Sequence, residues 1–399
     1  MKTRKLIALL LLLPLVTFCD KDKPTPTPPD NGQEQGGEEE NPSTEDPFAE
    51  AATELKNGDV ILVTDEKVQA FLEDVKYPER DYKETSILDK KYAPTAPGKS
   101  DKPQEYSIRW TKDDVGNDLT LTLKEDDGWS REMAIEEGAY YVNITNLRPN
   151  TNYQYEVKHA DGKVVTSGKF ATKGLVYQVY FKSNVRNARD LGGWKTKDGK
   201  TVKYRMVYRG GRLQSNTLNS KIGQANFKAQ GILAQLDLRG KNDVLNAPVM
   251  DFMDFCAPVI EEGYAQMLRD DAPKVKQCFD FVAKCVRENK PVYYHCSLGR
   301  DRTGTLTMLL LGVLGVDEGD ISKEYELTQF APSGWATSSG EDAKMTRKVD
   351  YKEAANYIWN NYVGEGETFA QGVEKYLTSE KVGVSPETIA EFRSLMLVD

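Results

Sequence analysis

At 399 residues, with 39% apolar and 29% charged positions, the chain has a globular composition and exceeds one ordinary domain, so two folded parts are expected. The net charge of −9 belongs to a tail: residues 20–50 hold ten acids against two lysines, and residues 1–19 hold three bases and no acid. What remains is near neutral, which excludes the basic face that a nucleic-acid partner requires.

In chain order, a basic start precedes a 13-residue apolar run, Leu6 to Phe18, too short to span a bilayer comfortably and laid out as a signal peptide. One reading has it cut at a small residue. In the other, a leucine-rich run that ends at Cys19 and gives way to a polar tether resembles bacterial lipoprotein precursors, with Phe18 where they carry a small residue. That resemblance implies a signal over 1–18, lipidation of Cys19, and an exported protein. Several acyl chains would hold it to a bacterial membrane, periplasmic or at the cell surface. Residues 19–48, rich in Pro and Glu and nearly devoid of apolar side chains, cannot bury a core and read as a disordered acidic tether.

From about residue 49 to 173 the pattern is all-β. YSIRW (Tyr106–Trp110), LTLTL (Leu119–Leu123), YYVNI (Tyr140–Ile144) and YQYEV (Tyr153–Val157) alternate and are separated by Gly/Asp/Asn turns. Asp59 to Lys99 reads as an irregular extension. LRPNTNYQYEV resembles the E–F corner of fibronectin type III domains, which implies a sandwich in which the Tyr153 hydroxyl bonds back to nearby backbone. The module's expected role is that of a spacer or packing unit.

From about residue 174 to 399 the pattern is α/β. Strands are predicted at VYQVYF (Val176–Phe181), TVKYRMVYRGG, ILAQLDLRG ending at Asp237, DFMDFCAPVI and PVYYHCS. Helices are predicted over Asn216–Lys228 and over PKVKQCFDFVAKCVRE, where Val275, Cys278, Phe279, Val282, Cys285 and Val286 recur at helical spacing, and in the apolar run after Arg302. Cys278 and Cys285 are too far apart on one helix to bridge each other, although either could pair with Cys256 in an export compartment; buried thiols are the plainer reading.

The stretch HCSLGRDRTG, His295–Gly304, lies between a strand and a helix. Backbone amides of Ser297, Leu298, Gly299, Arg300, Asp301 and Arg302 at a helix start form a nest for a tetrahedral anion. Gly299 supplies an unusual backbone angle, and Arg302 can grip two equatorial oxygens in a fork. Cys296 at the bottom of the bowl has its thiolate favoured by the same positive field, and Thr303 can donate a hydrogen bond to the sulfur. The residues thus compose a nucleophile under a bound phosphoryl group. No metal or cofactor is called for.

This stretch matches the HC-x5-R-[S/T] signature and resembles protein tyrosine phosphatases. It is similar to the subset with an aspartate before the arginine, found in bacterial enzymes of broad specificity and in some phosphoinositide phosphatases. NARDLGG (Asn187–Gly193), YRGGRL and LDLRGKNDV resemble further segments of the bacterial group, as does the C-terminal VEKYLTSEKVGVSPETIAEFRSLML. Arg300 stands where that group often has lysine. The resemblance implies a mostly parallel central sheet flanked by helices and a cysteinyl-phosphate mechanism. It also implies a phosphorylated protein or phosphoinositide as substrate, Arg300 adding charge to the bowl in the second case. A non-catalytic phosphate-binding or adhesion lipoprotein is the reading from another class. Nothing in the sequence sets an oligomeric state.

No Trp-Pro-Asp occurs, so the resemblance makes Asp301 the leading general acid, ahead of Asp237, with Asp190 and Asp243 expected in turns or salt bridges. Arg189 is expected near the site's rim, and Arg239 either pairs with Asp237 or lines the pocket. His295, next to the nucleophile on a strand, faces away from it and is expected to bond loop backbone. With His159 the only other histidine, a cysteine protease or a histidine metal site has no support.

Overall fold

A computed structural model describes residues 52–74, 92, 100–218, 220–331 and 351–399. The signal, Cys19 and the tether lie outside these.

The all-β part opens with β1 (Thr53–Glu54), β2 (Val60–Leu62) and α1 (Glu66–Asp74), and continues as β3 (Tyr106–Arg109), β4 (Thr120–Glu125), β5 (Ser130–Ala134), β6 (Tyr141–Ile144), β7 (Asn152–Lys158) and β8 (Val164–Lys173). Two sheets form, β1-β3-β6 and β2-β8-β7-β4-β5. On β7 every second side chain, Tyr153, Tyr155 and Val157, turns into the core with Leu121, Leu123, Ile144 and Phe170. Tyr153 stacks on Phe170 at 5.0 Å. Its hydroxyl accepts the Arg148 backbone N–H at 2.8 Å, the corner bond expected of it. Of the segment expected to be irregular, Asp59 to Lys99, residues 75–91 and 93–99 lie outside the described residues, and the described part holds β2 and α1. Its short runs bury Ile61, Val68 and Phe71 without an alternation long enough to read.

The second part runs β9 (Arg189–Asp190), β10 (Thr201–Val202), β11 (Val207–Gly210), α2 (Lys221–Lys228), β12 (Ala234–Asp237), β13 (Asp254–Cys256), α3 (Tyr264–Asp270), α4 (Ala272–Arg287), β14 (Val292–His295), α5 (Asp301–Leu314), α6 (Glu318–Glu326), α7 (Tyr351–Tyr362), α8 (Phe369–Thr378), α9 (Pro386–Met396) and β15 (Leu397–Val398). The main sheet is ordered β13-β12-β14-β11-β9, parallel except for β9 against β11. β14 is central and buried on both faces, which is why it reads as a continuous apolar run. Alternation sends Val292, Tyr294 and Cys296 into one core and Tyr293 into the other. α4 buries the six side chains its spacing predicted, and α5 is buried from Thr303 to Leu314 and stopped by Gly315 at φ +86°.

Three predicted elements differ. Val176–Phe181 is buried but not a strand; beyond one bridge from Gln178 to Arg189 it bonds side chains of the preceding part, Asn146 holding both N–H and C=O of Tyr180 and Thr64 donating to the Val176 carbonyl. TVKYRMVYRGG breaks into β10 and β11 at Arg205, whose φ of +62° no continuous strand permits. The helix expected from Asn216 begins at Lys221, because the Ser220 hydroxyl caps it by accepting the Gly223 N–H. Cys256, Cys278 and Cys285 are free thiols.

The two parts are clamped. Glu125, its side chain fully buried, receives both ends of the Arg205 guanidinium, Arg148 at 3.1 Å and the Tyr153 hydroxyl at 2.5 Å. Arg205 lies 3.9 Å over the Trp129 ring.

Candidate active site

β11 and β14 run parallel, so Gly210 and His295 leave the sheet side by side at its carboxyl edge. Cys296 follows, 1% exposed, at the floor of the turn into α5. The turn's carbonyls are tied outward. Ser297 C=O accepts from Arg212 N–H at 3.2 Å, and Asn187 Nδ2 donates to Leu298 C=O at 3.2 Å and Gly299 C=O at 2.9 Å. Arg209 Nη2 also donates to Gly299 C=O. With one side of each peptide fixed in this way, the opposite side faces the bowl. Among the described residues no protein acceptor takes the N–H groups of Ser297, Leu298, Gly299 or Arg300.

Gly299 is required twice over. Its φ is +71°, and a Cβ there would lie 2.3 Å from the Gly210 carbonyl carbon. Gly210 in turn lies so close to the Tyr293 hydroxyl that a Cβ would come within 2.1 Å. The double glycine of YRGGRL is therefore the surface on which the turn rests.

Behind the turn, Arg189 and Arg209 share one buried carboxylate, Glu324, at 2.6 and 2.8 Å. Burial, with Arg209's charge alongside, pushes the Arg189 guanidinium down to about 10. Arg189 Nη1 donates to Asn187 Oδ1, and the Asn187 N–H donates to Asp101 at 2.9 Å. Burial pushes the Asp101 carboxyl up to about 6, against opposition from that N–H and from Arg189, Arg186 and Lys102.

Arg302 Nη1 donates to the Ile260 carbonyl at 2.9 Å, which fixes the guanidinium plane. Its Nε and Nη2 meet no protein acceptor among the described residues, and these are the two donors of a fork. Asp301 Oδ1 accepts from Arg300 Nε at 2.6 Å and from the Tyr264 hydroxyl, leaving Oδ2 without a protein donor among the described residues. Taken together, the site can seat a tetrahedral oxyanion over a sulfur, with a carboxyl group at the rim.

Residues 182–398, more than half of the chain, match the family model described as the tyrosine phosphatase family. The chain belongs to that family. It is 28% identical over 165 residues to a Cupriavidus necator protein that carries a tyrosine-protein phosphatase name, covering 35% of this chain and 59% of that one. To a tyrosine-protein phosphatase of Nostoc commune it is 34% identical over 82 residues, covering 21% and 27%. The chain thus spans less than two thirds of either relative. Among solved structures, P. aeruginosa TpbA in complex with phosphotyrosine has 16% identity over 38% of this chain and 77% of that one, at a TM-score of 0.26. Tk-PTP in its active form has 14% identity over 39% and 90%, also at a TM-score of 0.26.

Within this phosphatase-family fold the remaining expectations divide. His295 lies on the face opposite Cys296 and is held by Gln235 at 2.9 Å and the Cys296 carbonyl at 3.3 Å, the loop-backbone bond expected. Burial pushes it down to about 4, so it is neutral. Asp190 is a turn residue: its two oxygens accept N–H from Gly192 and Arg205, and burial pushes its carboxyl up to about 7. Asp243 closes a turn on the Gly240 carbonyl.

Four expectations are corrected. Thr303 is fully buried, and its Oγ1 reaches neither the sulfur nor another polar partner; α5 fixes its Cβ, and β-branching leaves few rotamers to redirect it. Arg300 is buried with its Nε on Asp301 Oδ1, so its side chain is held at the rim rather than offered to the bowl. Asp237 is clasped by Arg239 through both oxygens at 2.9 and 2.8 Å. Burial alone would raise its carboxyl, but Arg239 and neighbouring charges hold it below the usual range, which suits a strut and not an acid. Arg189 lies behind the turn, not on its rim. Sequence reasoning missed Arg209, Glu324, Asp101 and Tyr264. The first three are a buried cation and two acids far apart in the chain, with no local signal. Tyr264 takes φ +54°, a strained angle for an aromatic residue, and this puts its hydroxyl on Asp301.

Proposed function

We propose that this chain is a cysteine-dependent phosphatase that hydrolyses phosphate monoesters without a metal, phosphotyrosine foremost. Cys296 Sγ attacks phosphorus in line; the S–P bond forms as the P–O bond to the leaving group breaks. The amides of Ser297 to Arg302 and the Arg302 fork hold the three equatorial oxygens. Asp301, steadied by Tyr264 and Arg300 through Oδ1, gives the proton to the leaving oxygen from Oδ2. Water then attacks the thiophosphate, releasing phosphate and restoring the sulfur. The observation that carries this reading is the turn itself, with every carbonyl from Ser297 to Gly299 tied outward above a cysteine.

The test is p-nitrophenyl phosphate turnover in EDTA. Activity lost in Cys296→Ser supports the reading; equal rates in the two proteins reject cysteine chemistry, and a wild type that leaves the substrate intact leaves the non-catalytic binder. Asp301→Asn is expected to slow alkyl more than aryl phosphates, and that pattern in Asp237→Asn instead would transfer the acid role. The phosphoinositide reading is weakened because Arg300 is buried, with its Nε held on Asp301.

The same proposal takes 49–173 as a fibronectin type III-like module, supported by its two-sheet strand order and the Tyr153 corner. It keeps the exported, Cys19-lipidated anchoring on the sequence pattern alone. A Cys19→Ala protein that still partitions into detergent would refute the anchor.

A further inference from the structure

A cleft of about 320 Å³ opens beside the phosphate turn, lined by Ser297 and Leu298 on one side and by Arg186, Arg212, Asn184 and Asn216 on the others. It lies where β11 and β14 leave the sheet, so Arg212, two residues past Gly210, flanks Ser297, two residues past His295. Both arginines are exposed, and neither has a carboxylate partner among the described residues. This contrasts with Arg189, Arg209, Arg239 and Arg300, each tied to an acid. The backbones of the two arginines are fixed: Gly211 N–H donates to the Arg186 carbonyl at 2.7 Å, and Arg212 N–H donates to Ser297 C=O. The acid that feels Arg186 is Asp101, whose oxygens are already on the Asn187 N–H. Two exposed arginines without a carboxylate partner among the described residues thus line a cleft that borders the turn that would seat the scissile phosphate.

We propose that this cleft is a second anion subsite, which selects phosphotyrosine peptides bearing a carboxylate next to the phosphorylated residue. The proposal rests on the phosphatase reading above. Side-chain amides of Asn184 and Asn216 suit a peptide backbone, and Leu298 is the one large apolar side chain among the lining residues, too little to take an acyl chain.

The test uses full-length Cys296→Ser protein and binding, so that it does not depend on turnover. Fluorescence anisotropy compares a phosphotyrosine peptide flanked by Glu with its Gln-flanked twin. Two partly screened charge pairs predict tighter binding of the Glu peptide by about 3- to 20-fold at low salt, shrinking in 0.5 M NaCl. Arg186→Gln/Arg212→Gln should bring the ratio to about one, and Arg186→Lys/Arg212→Lys should keep most of it, which a merely misshapen cleft would not do. Equal affinity for the two peptides, or a ratio that survives the Gln pair, overturns the subsite. So does a Gln pair that weakens only an inositol bisphosphate, since the cleft would then read a phosphorylated ring. Failure of the catalytic reading is separate: the wild-type protein would leave p-nitrophenyl phosphate intact while still discriminating the peptides.

Discussion

Glu324→Gln removes one negative charge and almost no volume, and it tests the support of the phosphate turn. In the native protein two guanidiniums, Arg189 and Arg209, share that carboxylate, with side chains 4%, 0% and 1% exposed. Without it, two cations remain buried beside each other with only neutral acceptors. Breaking a buried pair from one side costs about 3–5 kcal/mol, a large part of a total near 5–15 kcal/mol. With urea slopes of about 1–3 kcal/mol per molar, the unfolding midpoint should fall by about 1 M or more. Arg209 also holds the Gly299 carbonyl, so turnover of p-nitrophenyl phosphate should drop at least about tenfold in buffer where the variant stays folded. Adding Arg189→Gln removes one of the stranded cations and should recover part of the midpoint. An unchanged midpoint in the single variant, or losses that simply add in the double, would refute the claim that this carboxylate carries the load.

Gly299→Ala must leave φ +71° or push against Gly210; steady-state turnover should fall by about 100-fold or more, while far-UV circular dichroism is unchanged. Asp190 ionises near 7 in the folded protein instead of at 3.8, so the native state binds more protons than the unfolded state between these values. Its contribution to stability is fully present below about 4 and is lost as pH rises through 7; urea midpoints taken across that window should slope less in Asp190→Asn than in the wild type. Glu125→Gln strips the buried carboxylate from Arg205 and Arg148 at the clamp, and the calorimetric midpoint should drop by about 4 °C or more.

Local chemistry wrote much of this protein into its sequence. The β7 alternation, the α4 spacing and the apolar PVYYHCS run each follow from burial on a fixed period, and each is found where that period places it. The same is true of the turn, since Gly299 and the two arginines of GRDRTG lie within seven residues of Cys296. Alternation alone was enough to turn His295 away from the sulfur.

What the sequence left open is which charged residues meet. Arg189 and Arg209 are 135 and 115 positions from Glu324, the acid they share. Asp101 reaches Asn187 across 86 positions. Arg300 and Asp237 looked functional by neighbourhood, yet packing gave each a partner that occupies it, Asp301 and Arg239. A period in the sequence says which face of an element is buried, but it does not say which distant carboxylate will lie across from a buried guanidinium. That is decided when the sheet order brings β9, β11 and α6 together, because only then does desolvation make each unpaired charge too costly to leave alone.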